Sequence, residues 1–140
     1  MIRVSSFGLG PLELRDLYIQ RIQRMMPFTW KEIALKRCGD RRTATLLPEE
    51  KKFLESEKHF IVLDAKGQSM NSDEFMQFCF QADRHFVVGP AIGFHEQFFK
   101  AASGCVSLSR LTFTHGLAQT MLAEALYRAT CQMKNHPFVK

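Results

Sequence analysis

The segment between residues 107 and 129, SLSRLTFTHGLAQTMLAEALYRA, contains two charged side chains whose spacing would let them act together. Glu124 and Arg128 stand four residues apart, which places both on one face of a helix. Together they could hold a substrate, or they could form a surface ion pair worth roughly 0.2–0.5 kcal/mol. His115 precedes them, and a histidine near a helix start more often has a structural role than a catalytic one.

Three segments with glycine or polar residues follow apolar runs and are candidates for one binding pocket. They are residues 63–67, 89–93 and 108–115. Ligands of parallel sheets bind outside the carboxyl ends of the strands, so three such loops would meet at one site. Ordinary turns are the alternative interpretation. The second segment, GPAIG, does not match a phosphate-binding motif, but its glycines would let the backbone approach a flat ligand closely.

Positive charge is concentrated in the N-terminal third of the chain, and the formal net charge is +5. The basic residues between positions 15 and 42 are Arg15, Arg21, Arg24, Lys31, Lys36, Arg37, Arg41 and Arg42. Such a patch could neutralise the phosphates of a nucleic acid. A solvated basic loop at residues 36–42 is the alternative.

Length, hydropathy and cysteine spacing limit the class of protein. The 140 residues, 46% of them hydrophobic, predict one domain, residues 1–140, with a substantial core. The chain has neither an apolar run long enough to span a membrane nor a signal-peptide pattern, so a soluble cytoplasmic protein is expected. The four cysteines form no C-x-x-C pair, so packed free thiols are expected rather than a metal site.

Strands and helices alternate along the chain, which predicts an α/β fold around a mostly parallel sheet. The expected strands are residues 2–7, 29–35, 59–64, 85–89 and 105–113. The expected helices are residues 12–26, a short helix opened by Pro48, and residues 73–83, 94–102 and 116–133. A basic loop is expected at 38–47, and a second loop begins at Lys66. The last helix is apolar over a wide arc, which would allow burial against a second subunit.

Several motifs together indicate a family. SLSRLTFTHGLAQTMLAEALYRA followed by NHPFVK resembles the C-terminus of the ribosomal RNA large subunit methyltransferase H family, which belongs to the SPOUT class of knotted methyltransferases. FIVLDAKGQSMNSDEF and VVGPAIGF resemble two further family motifs in the same order, and MIRV and YIQRI are similar to its N-terminus. The resemblance is dense over residues 59–140 and looser over residues 8–58.

The resemblance implies a fold, a cofactor and a reaction. The fold would be a mostly parallel α/β sheet with helices on both faces and a deep C-terminal trefoil knot. The protein would be a homodimer that uses S-adenosylmethionine. Neither a metal ion nor a membrane is expected as a partner. It would methylate N3 of a pseudouridine in the 23S ribosomal RNA of the assembled bacterial ribosome. The positions that match the family's cofactor-binding motifs are Leu63, Gly89, Leu108, Ser109, Arg110, Leu111, Thr112 and Phe113, and the cofactor would contact these residues.

The resemblance also implies catalytic residues on the last helix and the tail. Glu124 and Arg128 match the family residues that face the target base. N3 of a uracil ring carries a proton near neutral pH, so Glu124 is the candidate base. Arg128 is the candidate stabiliser of the developing anion. The tail would reach across the dimer, and His136 is the candidate substitute for a tail histidine.

The sequence departs from the family pattern at several positions. Pro90 replaces a glycine of the family, Thr114 replaces a proline, and an arginine is replaced near Gln119. The family's Tyr-His pair in the tail is Phe138-Val139. These departures leave two alternatives to an active enzyme of the ribosome. One is a knotted RNA- or ribosome-binding protein with weakened or lost catalysis. The other is a methyltransferase with a different RNA target.

Overall fold

The computed structural model describes residues 1–36, 46–90 and 92–137, and over these residues five strands alternate with five helices. The strands are β1 (Ile2–Phe7), β2 (Phe28–Ile33), β3 (Ile61–Ser69), β4 (Arg84–Val88) and β5 (Gly104–Ser107). The helices are α1 (Glu13–Met25), α2 (Pro48–Ser56), α3 (Ser72–Gln81), α4 (Glu96–Ala101) and α5 (His115–Met133). None of these helices is long and apolar enough to cross a bilayer. Most of the expected basic loop, including Arg37, Arg41 and Arg42, lies outside the described residues.

The strands form one sheet in the order β2-β1-β4-β3-β5, and every pairing is parallel. Apolar side chains alternate between its two faces, as expected for strands buried on both sides. One face packs on α1, α3 and α5 through residues that include Val4, Phe86, Ile22, Phe75 and Leu122. The other face packs on α2 and α4 through Phe7, Val62, Val87, Phe53 and Phe98. The predicted α/β fold with helices on both faces is confirmed.

Strand β3 is longer than the sequence predicts. A loop is expected from Lys66, but the strand continues to Ser69 after a shift in its pairing register with β5. Leu63 and Gln68 both align with Val106 of β5, so the residues between them bulge out of the ladder. The chain therefore pairs with β5 twice, and the first polar residues lie in a bulge rather than beyond the strand end.

Strand β5 is shorter than the sequence predicts. The alternating pattern predicts a strand over 105–113, but β5 ends at Ser107. The Ser107 hydroxyl donates to the carbonyl of Ser109 at 2.7 Å, and the Leu111 N–H donates to the Ser109 hydroxyl at 3.1 Å. Local hydrogen bonds of this kind compete with strand pairing. Residues 108–114 therefore form an irregular segment that leads into α5.

Two helices begin where the sequence predicts them. The Asn71 side chain accepts a hydrogen bond from the Glu74 N–H at 2.8 Å, and the Glu74 carboxylate accepts from the Asn71 N–H at 2.9 Å. This reciprocal pair is a capping box, which satisfies two backbone donors at the start of α3. Pro48 occupies the first turn of α2, where an N–H would have no helical partner.

The three described cysteines are free thiols, as expected. Cys79 and Cys131 are buried and Cys105 is half-buried. Burial raises the pKa of the Cys79 thiol to about 12, which keeps it protonated and unreactive. Cys38 lies outside the described residues.

His85 is a buried titratable group in the core between β1, β4 and α2. Its Nε2 atom lies 2.7 Å from the Ser5 hydroxyl, and its Nδ1 atom lies 3.5 Å from a carboxylate oxygen of Glu57. Burial and, next, the positive charge of Arg3 lower the pKa of His85, while Glu57 opposes them. The folded state therefore disfavours the imidazolium.

We expect the stability of the protein to fall as the pH drops through the histidine range, from about pH 7 to pH 5. Because the pKa of His85 is lower in the folded state, the unfolded state binds more protons there. Urea unfolding at several pH values measures this dependence, and His85→Gln should flatten the profile. An equally steep profile in the variant would show that His85 is not its source.

Candidate functional site

Three segments at the carboxyl edge of the sheet surround a cavity of about 210 Å³, which we call the loop cavity. The segments are 63–65 of β3, 88–90 at the end of β4, and residues between 108 and 113 after β5. These three strands are neighbours in the sheet. The edge is the one at which parallel sheets bind ligands. The prediction that three separate loops form one pocket is confirmed.

The loop cavity contains most of the residues expected at the cofactor. The lining includes Leu63, Gly89, Leu108, Ser109, Leu111, Thr112 and Phe113. Arg110 is exposed and is not among the lining residues. The segment after β5 is open to solvent, since Leu111 is 70% exposed and Phe113 is 37% exposed. A ligand could therefore reach the cavity from that side.

The wall of the loop cavity is mainly apolar. Asp64 and His115 are its ionisable side chains among the described residues. Gly89 makes room for an aromatic wall, because a Cβ there would lie 2.9 Å from the ring of Phe94. Sequence reasoning missed Phe94 and Met121 as lining residues, since an apolar side chain in a cavity wall has the same pattern as one in the core. No described group of three or more His, Cys, Asp or Glu residues is placed to hold a metal ion.

A second cavity of about 500 Å³, the helix groove, is lined by residues of α1, α3 and α5 and contains the candidate catalytic pair. Oε1 of Glu124 accepts hydrogen bonds from Nε and Nη2 of Arg128 at 2.9 and 2.6 Å. The hydrogen bond and the charge of Glu124 raise the pKa of Arg128, so the guanidinium remains charged. Both side chains are partly exposed. The prediction that they share a helix face is confirmed.

The two cavities adjoin. Leu108 and Met121 line both of them. Leu108 begins the segment after β5, and Met121 lies on α5 three residues before Glu124. A ligand in the loop cavity and a ligand at Glu124 would therefore be close neighbours.

His136 lies apart from both cavities of its own chain. It follows α5 and is exposed, and its N–H donates to the Cys131 carbonyl at 2.8 Å. The turn depends on Asn135, whose φ of 54° is in the left-handed region. Phe138 and Val139 lie outside the described residues.

Arg15 does not belong to the basic surface patch, and that prediction is wrong for this residue. Its side chain is 3% exposed, whereas Arg24 and Lys31 are exposed. The Arg15 guanidinium donates to Glu32 at 2.9 Å and to Gln119 at 2.5 Å. A charge is buried only where it is paired and hydrogen-bonded, and these partners come from distant parts of the sequence.

Comparison with known proteins identifies the relatives of this chain. A family model described as a predicted SPOUT methyltransferase matches residues 12–138. Ribosomal RNA large subunit methyltransferase H of Thermodesulfovibrio yellowstonii is 43% identical over 112 residues, which are 77% of this chain and 76% of that protein. The proteins of the same name from Cytophaga hutchinsonii and Dechloromonas aromatica are 29% and 31% identical over 131 and 132 residues, 86% of this chain in each case and 84% and 83% of those proteins.

The loop cavity fits the cofactor of this family, S-adenosylmethionine, in the chemistry of its lining. Apolar walls and a carboxylate suit a ligand with a flat ring and positive charges. In addition, Nδ1 of His115 is buried and has no hydrogen-bond partner among the described residues. A buried polar atom of this kind needs a hydrogen-bond partner, which a ligand group could supply. The chain belongs to the SPOUT methyltransferases and, within them, to the ribosomal RNA large subunit methyltransferase H family.

Proposed function

We propose that this chain methylates N3 of a pseudouridine in the large-subunit ribosomal RNA of the assembled bacterial ribosome, in the cytoplasm. The name shared by its relatives supports ribosomal RNA as the substrate. The observation that carries the proposal is the common wall of the two cavities, at Leu108 and Met121. With the methyl donor in the loop cavity and the target base in the helix groove, the two reactants would be neighbours.

The chain's own residues would align the reactants and accept the proton that leaves the target base. S-adenosylmethionine supplies a sulfonium methyl group for an in-line displacement. Glu124 would accept the N3 proton, which leaves the nitrogen lone pair free to form the new bond to the methyl carbon as the carbon–sulfur bond breaks and S-adenosylhomocysteine leaves. Arg128 would stabilise the negative charge that develops on the uracil carbonyl oxygens. The hydrogen bonds between Glu124 and Arg128 hold the two groups side by side.

The direct test is methyl transfer to ribosomes that lack the modification, with radiolabelled S-adenosylmethionine. Label at the pseudouridine is the expected result. Label in other RNA but not in ribosomes would favour the alternative of a different RNA target. Cofactor binding and ribosome binding without label would favour a binding protein that has lost catalysis.

We also infer that the protein acts as a single-domain homodimer. The helix groove exposes the apolar side chains of Leu14 and Leu117, and Leu17 and Met133 are exposed on the same two helices, α1 and α5. An exposed apolar patch of this kind favours association. A substrate-side role for His136 requires a second copy, because His136 lies outside both cavities of its own chain. The C-terminal trefoil knot is supported by family membership and stays a prediction.

Leu14→Asp should convert the dimer to a monomer. Leu14 is 52% exposed and lines the helix groove, so the substitution would place a charge in the apolar interface. Size-exclusion chromatography with light scattering measures the mass. The matched control is Leu9→Asp, since Leu9 is 69% exposed but lies before α1 and outside the groove. A dimer that survives Leu14→Asp would place the interface elsewhere.

A further inference from the structure

A chain of hydrogen bonds runs from a buried arginine to the wall of the loop cavity. Nη1 of Arg15 lies 2.5 Å from Oε1 of Gln119, and Nε2 of Gln119 lies 2.6 Å from Nε2 of His115. Arg15 and Gln119 are each 2% exposed. His115 is the first residue of α5 and lines the loop cavity. The chain thus joins α1 to the candidate cofactor site.

The chemistry of arginine determines the direction of every bond in this chain. A guanidinium only donates, so the atom of Gln119 that faces Arg15 is the amide oxygen. The amide nitrogen of Gln119 therefore faces His115 and donates to it. Nε2 of His115 must then be an acceptor without a proton. The proton of the neutral imidazole is consequently on Nδ1.

Arg15 can fix these hydrogen-bond directions because further hydrogen bonds hold its guanidinium in place. Its Nη2 donates to Oε1 of Glu32 at 2.9 Å and to the Gly10 carbonyl at 3.1 Å. The Gly10 N–H in turn donates to Oε2 of Glu32 at 2.9 Å. Gly8 leaves room for the imidazole, since a Cβ there would lie 3.2 Å from Nε2 of the ring. Rotation of the imidazole would break bonds in a buried network.

Nδ1 of His115 is the free end of the hydrogen-bond chain. It is buried, and none of the described residues hydrogen-bonds to it. An unpaired buried donor is unfavourable, so Nδ1 needs a partner, and a polar group of the ligand could supply it. The residue that carries this donor borders the loop cavity, next to the segment at 108–113.

We propose that His115 is a cofactor-binding residue that donates a hydrogen bond from Nδ1 to the S-adenosyl ligand, and that Arg15 and Gln119 are positioning residues that fix this tautomer. The role deepens the candidate cofactor site and rests on the use of S-adenosylmethionine, not on the RNA target. It is tested without RNA, so its failure is distinguishable from failure of the proposed function.

The tautomer is tested by long-range proton–nitrogen correlation spectra of the histidine side chains, with His115→Asn used for assignment. The expected result for His115 is a protonated Nδ1 and an unprotonated Nε2. Gln119→Met should remove the donor to Nε2, so that the His115 imidazole populates both tautomers. A wild-type ring protonated at Nε2, or a tautomer unchanged in Gln119→Met, would overturn the proposal.

Ligand binding is tested by calorimetric titration with S-adenosylhomocysteine. The amide nitrogen of His115→Asn occupies the place of Nδ1, whereas that of His115→Gln occupies the place of Nε2. We expect His115→Asn to bind within about threefold of the wild type, and His115→Gln and His115→Leu to bind about tenfold more weakly. Gln119→Met should also weaken binding by several-fold.

The control is His59→Leu, because His59 is exposed and lines neither cavity. Circular dichroism and urea unfolding establish that each variant is folded before titration. Wild-type affinity in His115→Leu would overturn the proposal. Equal losses in His115→Asn and His115→Leu would overturn the assignment of the hydrogen bond to Nδ1.

Discussion

Replacing Glu124 with glutamine should lower the rate of methyl transfer by roughly two to four orders of magnitude. The amide keeps the size of the side chain and can still accept a hydrogen bond from Arg128. It cannot take the N3 proton from the target base, so the nitrogen would attack as a much weaker nucleophile. Single-turnover transfer from radiolabelled S-adenosylmethionine to unmodified ribosomes measures the rate.

The matched control for this substitution is Glu96→Gln on α4. Glu96 also forms an ion pair with a residue four positions on, Lys100, at 3.3 Å, and it lines neither cavity. Exposed pairs contribute little to stability, so both variants should unfold close to the wild type. Unaltered transfer in Glu124→Gln would remove Glu124 from the mechanism. An equal loss in Glu96→Gln would show that the effect does not depend on the site.

Replacing Gly67 with alanine should lower the free energy of unfolding by about 2–3 kcal/mol. A Cβ at this position would lie 2.7 Å from backbone atoms of Cys105 and Val106 in β5. These are backbone atoms of a paired strand, so they cannot move aside as a flexible side chain would. Because Asp64 lies in the same bulge and lines the loop cavity, affinity for S-adenosylhomocysteine should fall as well.

Urea unfolding compares Gly67→Ala with Gly116→Ala. Gly116 lies in the first turn of α5, and a Cβ there would be 3.4 Å from a side-chain atom of Leu12, which is an ordinary contact. Alanine in a helix is favoured over glycine, so Gly116→Ala should be neutral or stabilising by up to about 1 kcal/mol. Equal stability of the two variants would show that the β5 backbone can shift to accommodate a Cβ at position 67.

The candidate site was predictable as a set of segments, because its location follows from local patterns. Apolar runs at 59–64 and 85–89 indicate buried parallel strands, and parallel strands present their carboxyl ends on one side of a sheet. The helix-face pairing of Glu124 and Arg128 follows from a spacing of four residues. The contact of each residue with the cofactor or the base stays a prediction.

Strand lengths at the edge of the sheet were not predictable in the same way. The alternation at 105–113 favours a strand, yet β5 ends at Ser107 because serine hydroxyls bond to the nearby backbone. β3 continues past Lys66 because its backbone finds a second pairing with β5. Both outcomes depend on which hydrogen-bonding partners lie beside the segment in the folded sheet. The sequence of one segment does not specify those partners.

The sequence by itself determined the α/β class, the order of the elements and the family, since each depends on local periodicity or on motifs that are contiguous in the chain. Only the tertiary structure decided that Arg15 is buried rather than part of a basic surface, and that two cavities meet at Leu108 and Met121. The partner of Arg15, Gln119, is 104 positions away. Contacts over such separations arise when the sheet assembles and brings α1 against α5, so no local pattern can encode them.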